Sequence, residues 1–181
     1  GNLTRLFKSF KGKVITFGVK DSEIRGETKT SQIKKPDYEA EILNTQDLAN
    51  TEFRVEFNTD SEETFRIPLP GIFNVYNFLA SYILTRELNL DPTIIAKSLK
   101  DFSPAFGRFE KFEVNGKNGN IFLIKNPVGA TQVFKTIIPH IKPQDTLFWA
   151  LNDNFADGTD VSWIWDIELE RNKKQETRNK V

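Results

Sequence analysis

The chain has 181 residues with 25 Lys+Arg against 25 Asp+Glu, so it carries no net charge and offers no bulk electrostatic case for nucleic acid. Hydrophobic residues make up 38% of it, with 16 Phe, which is enough to bury a core and excludes a disordered protein, yet no apolar run reaches the length of a membrane span. The absence of Cys excludes disulfides and thiolate metal sites and fits a cytoplasmic protein, and the absence of Met, even at the start, fits a piece of a longer one.

In chain order, "GKVITFGVKD" (12–21) reads as a strand, with β-branched and aromatic residues centred on Val14, Ile15 and Phe17. The stretch 22–50 is polar, broken at Lys34-Lys35-Pro36, with "AEIL" as a short strand. "EFRVEFN" (52–58) alternates strictly, placing Phe53, Val55 and Phe57 on one face and Arg54 and Glu56 on the other, the pattern of a half-buried strand. "TDSEE" is a turn and "TFRIPL" (64–69) alternates again, which predicts a hairpin. After Pro70-Gly71 the apolar residues Val75, Phe78, Leu79, Tyr82 and Ile83 fall at helical spacing, so a helix begins near Asn74. A second helix opens on Asp91 as N-cap and Pro92 in the first helical position, with Ile94, Ile95 and Leu99 as its apolar residues.

"SPAFGRFE" (103–110) reads as a hinge, since Pro104 and Gly107 break structure and strands follow. "KFEV", the turn "NGKNGN" and "IFLIK" make a hairpin. "NPVGA" is expected as a loop into the helix "TQVFKTIIPHI", whose apolar face is Ala130, Val133, Phe134, Ile137 and Ile138. "TLFWAL" (146–151) is expected as a strand, so that strand, helix and strand form a parallel βαβ unit. The charged tail "ERNKKQETRNKV" reads as solvated. The fold class is therefore α/β: a mixed sheet with helices over 1–105, then over 106–181 the start of a second α/β sheet that stops early.

Neither of the common phosphate loops occurs, so the chain by itself is not expected to turn over ATP. With one histidine (His140, near a helix end after Pro139), a Ser-His-Asp or metal-histidine site within this chain is not expected. "GIFNVYN" puts Asn74 and Asn77 at a helix start; such amides cap helices, and they also suit an adenine edge because each offers a donor and an acceptor. Arg108 in "GRFE" reads either as a surface ion pair with Glu110 or as a guanidinium for phosphate or ribose.

The stretch "LNDNFADGTDVSWIWD" (151–166) gathers Asp153, Asp157, Asp160 and Asp166 around Trp163, Trp165 and Gly158. In a structural reading Asp153 and Asp157 are loop and turn residues, Gly158 supplies a positive φ, and Trp163 and Trp165 anchor the loop onto the core. As a functional reading, carboxylates past a strand end in an α/β sheet lie where ligands gather.

These motifs carry a resemblance. "GIFNVYN" resembles the helix start in the central ATP-binding domain of the Mur ligases, with Phe73 where many members have His, and "GRFE" resembles the boundary with their C-terminal domain. "KNPVGATQVF" and the aspartate stretch are similar to one branch, the MurT subunit of lipid II isoglutaminyl synthase. The likeness runs from about residue 12 to about residue 170 and is poorest over 22–50. It implies a Mur central domain ending near residue 105 and a Rossmann-like C-terminal domain starting there. It implies an ATP- and Mg²⁺-dependent ligase in peptidoglycan synthesis, amidating the D-glutamate α-carboxylate of the lipid II stem peptide with ammonia from a GatD-like glutaminase. By resemblance Asn74, Asn77 and Arg108 bind ATP, and Asp160 is the acid that the glutaminase Cys-His pair borrows. Zinc is not expected, because the four-cysteine ribbon of many MurT proteins has no counterpart here. Two other readings stay open: a Mur-type ligase that adds an amino acid to a cell-wall precursor, and a non-catalytic partner-docking module.

Overall fold

The computed structural model describes residues 10–20, 35–45, 48–57, 61–103, 107–154 and 159–168. The chain divides into two compact units, 1–102 and 103–181.

The first unit is a four-stranded sheet with two helices. Its strands are β1 (Phe17–Lys20), β2 (Tyr38–Asn44), β3 (Thr51–Phe57) and β4 (Glu62–Ile67), in that spatial order. β1 lies parallel to β2, and the remaining pairs are antiparallel. β1 is shorter than the expected 12–21 strand, with Val14 exposed before it, and Asp21 lies outside the described residues. The alternation in β3 is realised: Thr51, Phe53, Val55 and Phe57 are buried and the residues between them are half-buried. Over that face lies α1 (Ile72–Glu87), which buries Val75, Phe78, Leu79, Tyr82 and Ile83. Phe53 belongs to an aromatic cluster, with ring centroids 5.9 Å from Phe65 and 5.1 Å from Phe78. The first pair is stacked and the second edge-on, and such contacts exceed what area burial alone gives.

α1 starts at Ile72, two residues before the expected position, because Gly71 (φ 93°) takes the N-cap in a conformation that costs other residues strain. α2 (Pro92–Lys100) keeps the expected cap: the Asp91 side chain accepts from the Thr93 N–H. Ile95 and Leu99 of α2 pack on the core, whereas Ile94 is exposed and does not share the apolar face assigned to it.

Tyr82 joins the core to a surface ion pair. Its hydroxyl donates to Glu63 Oε2 (2.7 Å) and accepts from Arg86 Nη1 (2.9 Å), while Arg86 lies 5.2 Å over the Phe57 ring. Burial first, and the Glu63 bond second, push the Tyr82 phenol up to about 12 from 10.0. The unfolded chain therefore ionises this phenol before the folded unit does. Its contribution to stability is complete below pH 10.0 and is lost as pH rises towards about 12. Alkaline melting curves should show this fall in wild type, and Tyr82→Phe should flatten it; an unchanged curve in the variant contradicts the assignment.

The second unit holds β5 (Arg108–Val114), β6 (Lys117–Phe122) and α3 (Pro127–Ile137). The β5–β6 hairpin turns on two residues, Asn115 and Gly116, both with positive φ, where the sequence reading allotted six. Asn-Gly suits such a turn because its twist matches that of the strands. A bulge between Arg108 and Glu110 leaves Phe109 at φ 64°, its buried ring edge-on to Phe122 at 4.9 Å. Of the hinge expected over 103–110, Pro104 lies outside the described residues.

α3 begins inside the expected loop "NPVGA". The Asn126 side chain caps it by accepting from the Gly129 N–H (2.7 Å), and Pro127 takes the first helical position. Ala130, Val133, Phe134 and Ile137 are buried, while Ile138 starts a one-turn 3₁₀ helix and is exposed. The expected strand at 146–151 joins no ladder, so the parallel βαβ unit is not formed. A strand needs a neighbour for its N–H and C=O groups, and no described strand pairs with this one. Phe148 is 85% exposed, and only Trp149 of this run stacks on α3, 5.3 Å from Phe134.

Candidate functional site

The expected site residues fall in both units. In the first, Asn74 and Asn77 stand one turn apart on α1. Asn74 occupies the third helical position, is 8% exposed, and donates its side-chain N–H to the Pro70 carbonyl at 2.7 Å. It is therefore not the N-cap that one reading made it; the amide fastens the Pro70-Gly71 corner to the helix. Asn77 is exposed on the next turn, and its backbone carbonyl accepts from Ser81. An amide carries two N–H and a carbonyl oxygen, so the bond to Pro70 leaves Asn74 capacity toward a second group.

In the second unit Arg108 opens β5. Glu110, the ion-pair partner in the plain reading of Arg108, accepts from the Gly107 N–H at 3.0 Å. That bond closes the corner ahead of the bulge.

The aspartate stretch separates into distinct roles. Asn152 accepts from the Asn154 N–H in a tight turn, and Asp153 beside it is exposed. Asp157 and Gly158 lie outside the described residues. Asp160 is exposed, and its Oδ1 accepts from the Ser162 N–H at 2.9 Å. Bonds from the Ser162 side chain and then its backbone hold the Asp160 carboxyl below its ordinary value, so it is a carboxylate at neutral pH. Residues Ser162–Asp166 form a short 3₁₀ helix. Trp163 and Ile164 are half-buried on it, but Trp165 is 83% exposed and does not brace the loop as the structural reading had it. Asp166, also exposed, ends the turn.

Two residues went unread in the sequence. Glu168 N–H donates to Thr131 Oγ1 on α3 at 3.0 Å, tying the end of the 3₁₀ turn to a helix 37 positions earlier. Such a bond has no local signature. Asn126 was legible, because Asn126-Pro127 repeats the Asp91-Pro92 cap pattern. Among the described residues no group of three or more His, Asp or Glu is placed to hold a metal ion, and no helix is long and apolar enough to cross a membrane.

Residues 123–181, which include Asp160, α3 and the 3₁₀ turn, match the family described as MurT ligase C-terminal. Over this part the chain is similar to the MurT family. The chain is 37% identical over 139 residues to the lipid II isoglutaminyl synthase (glutamine-hydrolyzing) subunit MurT of Streptococcus pneumoniae R6, covering 76% of this chain and 30% of that protein. It is 34% identical over 116 residues to the protein of the same name from Staphylococcus aureus COL, covering 64% of this chain and 26% of that one. The MurT-like chain thus spans about a third or less of these relatives. MurF from Acinetobacter baumannii shares the fold, with a TM-score of 0.50 at 18% identity over 70% of this chain and 24% of the MurF chain. The mixed α/β sheet with helices expected over the first part is found, whereas the parallel βαβ unit expected over the second is not formed among the described residues.

Proposed function

We propose that the chain is part of a Mur-like subunit of an ATP-dependent, glutamine-hydrolysing amidotransferase. The complete enzyme amidates the D-glutamate α-carboxylate of the lipid II stem peptide to D-isoglutamine, on the cytoplasmic side of the membrane. The observation that carries this reading is an exposed, ionised, tethered carboxylate, Asp160, inside the segment that matches MurT.

In this reading, 1–105 ends a central ATP-binding domain and 106–181 begins a C-terminal domain. Asn74 and Asn77 hold adenine, and Arg108 supplies a charged contact to phosphate or ribose. ATP with Mg²⁺, when bound, would supply a phosphoryl group to one oxygen of the substrate carboxylate, so that ammonia can add to the acyl carbon and inorganic phosphate can leave with that oxygen. The phosphate loop and metal ligands belong to other parts of the longer protein. Asp160 faces a GatD-like glutaminase as the third member of its Cys-His triad, where it orients the imidazole and stabilises the imidazolium.

The ligase half is tested by nucleotide titration of the complete protein. Asn77→Ala and Arg108→Ala should each weaken binding by about 0.5–3 kcal/mol, the upper end for the charged contact. Asn74→Ala should weaken it too and also lower the melting temperature, since it strips a buried bond from Pro70. Wild-type affinity in Asn77→Ala and Arg108→Ala contradicts the nucleotide roles.

A further inference from the structure

We propose that Thr131 is a positioning residue for the Asp160 carboxylate; this rests on the reading of Asp160 as a triad acid. The carboxylate stands at the head of a 3₁₀ helix of five residues, and a helix this short has little stability of its own. The turn is held at both ends. At the head, Asp160 Oδ1 takes the Ser162 N–H, so the carboxylate moves with the turn. At the foot, the Glu168 N–H is bonded to Thr131 Oγ1. Thr131 is itself a fixed point: it is 7% exposed on α3, and its hydroxyl donates to the Pro127 carbonyl at 2.9 Å. A hydroxyl has one proton and two lone pairs, so donation to Pro127 aims a lone pair at Glu168. Pro127 in turn sits in the first turn of α3, capped by Asn126. The position of the acid is thereby referred to a helix rather than to a loop, while Trp165 is exposed.

Catalytic groups lose rate steeply with misplacement, about a hundredfold for 1 Å, so a slack foot on this turn should act on turnover rather than on folding. Thr131→Val keeps the shape and removes the hydroxyl. The Glu168 backbone lies at an exposed residue, where water can take over its N–H, so the variant should fold.

The test uses the complete protein reconstituted with its glutaminase. Thr131→Val should lower kcat for glutamine hydrolysis between about tenfold and a hundredfold, leaving KM for glutamine and amidation with free ammonia near wild type. Thr131→Ser, which restores the hydroxyl, should recover most of the rate. Asp160→Asn is measured in parallel. If it is inactive while Thr131→Val matches wild type, the positioning role is wrong and the triad reading stands. If Asp160→Asn remains active, the triad reading fails and the positioning role with it. Equal losses in Thr131→Val and Thr131→Ser, or loss of the partner from either complex, overturn the proposal in favour of a packing role.

Discussion

Asp160→Asn should abolish or greatly reduce glutamine hydrolysis in the reconstituted complex while the two subunits still associate. The substitution keeps the size and planarity of the side chain and its acceptor oxygen toward the Ser162 N–H, so the local turn is retained. What it removes is the charge. A Cys-His pair needs its imidazole held in one tautomer and its imidazolium stabilised, and a neutral amide does neither well. The carboxylate suits that role because it is exposed, ionised at neutral pH and tethered through one oxygen. Amidation driven by free ammonia should survive, because the proposed nucleotide contacts of Asn74, Asn77 and Arg108 are other residues altogether. Near-normal glutaminase activity in Asp160→Asn, or failure of the variant to bind its partner, rules out the role. Asp153→Asn and Asp166→Asn serve as controls, since both residues are exposed carboxylates of the same stretch.

The second large effect is on stability. Phe53→Ala should destabilise the first unit by about 3–5 kcal/mol, read from the midpoint and slope of its denaturant transition. Phe53 is fully buried and sits between the sheet and α1, with Phe65 and Phe78 against its ring. Removing it leaves a cavity bounded by β-strand and helix backbones that cannot close without breaking β-ladder register, so the loss includes both transfer and cavity contributions. The neighbouring Arg54 is half-buried on the opposite face, and Arg54→Ala should cost far less. Comparable losses in the two variants contradict this placement of the core.

Patterns that are local in the chain were readable without the structure. The alternation of Phe53, Val55 and Phe57 defined a strand face, and the spacing of Val75, Phe78, Leu79, Tyr82 and Ile83 defined the buried side of α1. Asp91-Pro92 marked a helix start, and Asn126-Pro127 marks another in the same way, though the glycine in "NPVGA" pointed to a loop. Features that depend on distant partners were not readable. Thr146–Leu151 has strand composition, but composition does not provide the neighbour that a ladder requires. Trp163 and Trp165 look alike as anchors, yet on a 3₁₀ turn they point to different sides, and only Trp163 is half-buried. Asp160 is set apart from the three other aspartates of its stretch by the family resemblance alone. The means by which it is held, a hydroxyl on α3 and a backbone N–H beyond the turn, became visible only in three dimensions.

The proposed activity converts a carboxylate of lipid II to a carboxamide. Mass spectrometry of lipid II, after incubation with the complete protein, its glutaminase, ATP, Mg²⁺ and isotopically labelled glutamine, tests it most directly. The account predicts ATP-dependent replacement of one hydroxyl by an amino group on the D-glutamate α-carboxyl, with the label from the glutamine amide in the product. Addition of a whole amino acid, or an unchanged lipid II under conditions where the complex forms and binds ATP, would contradict it.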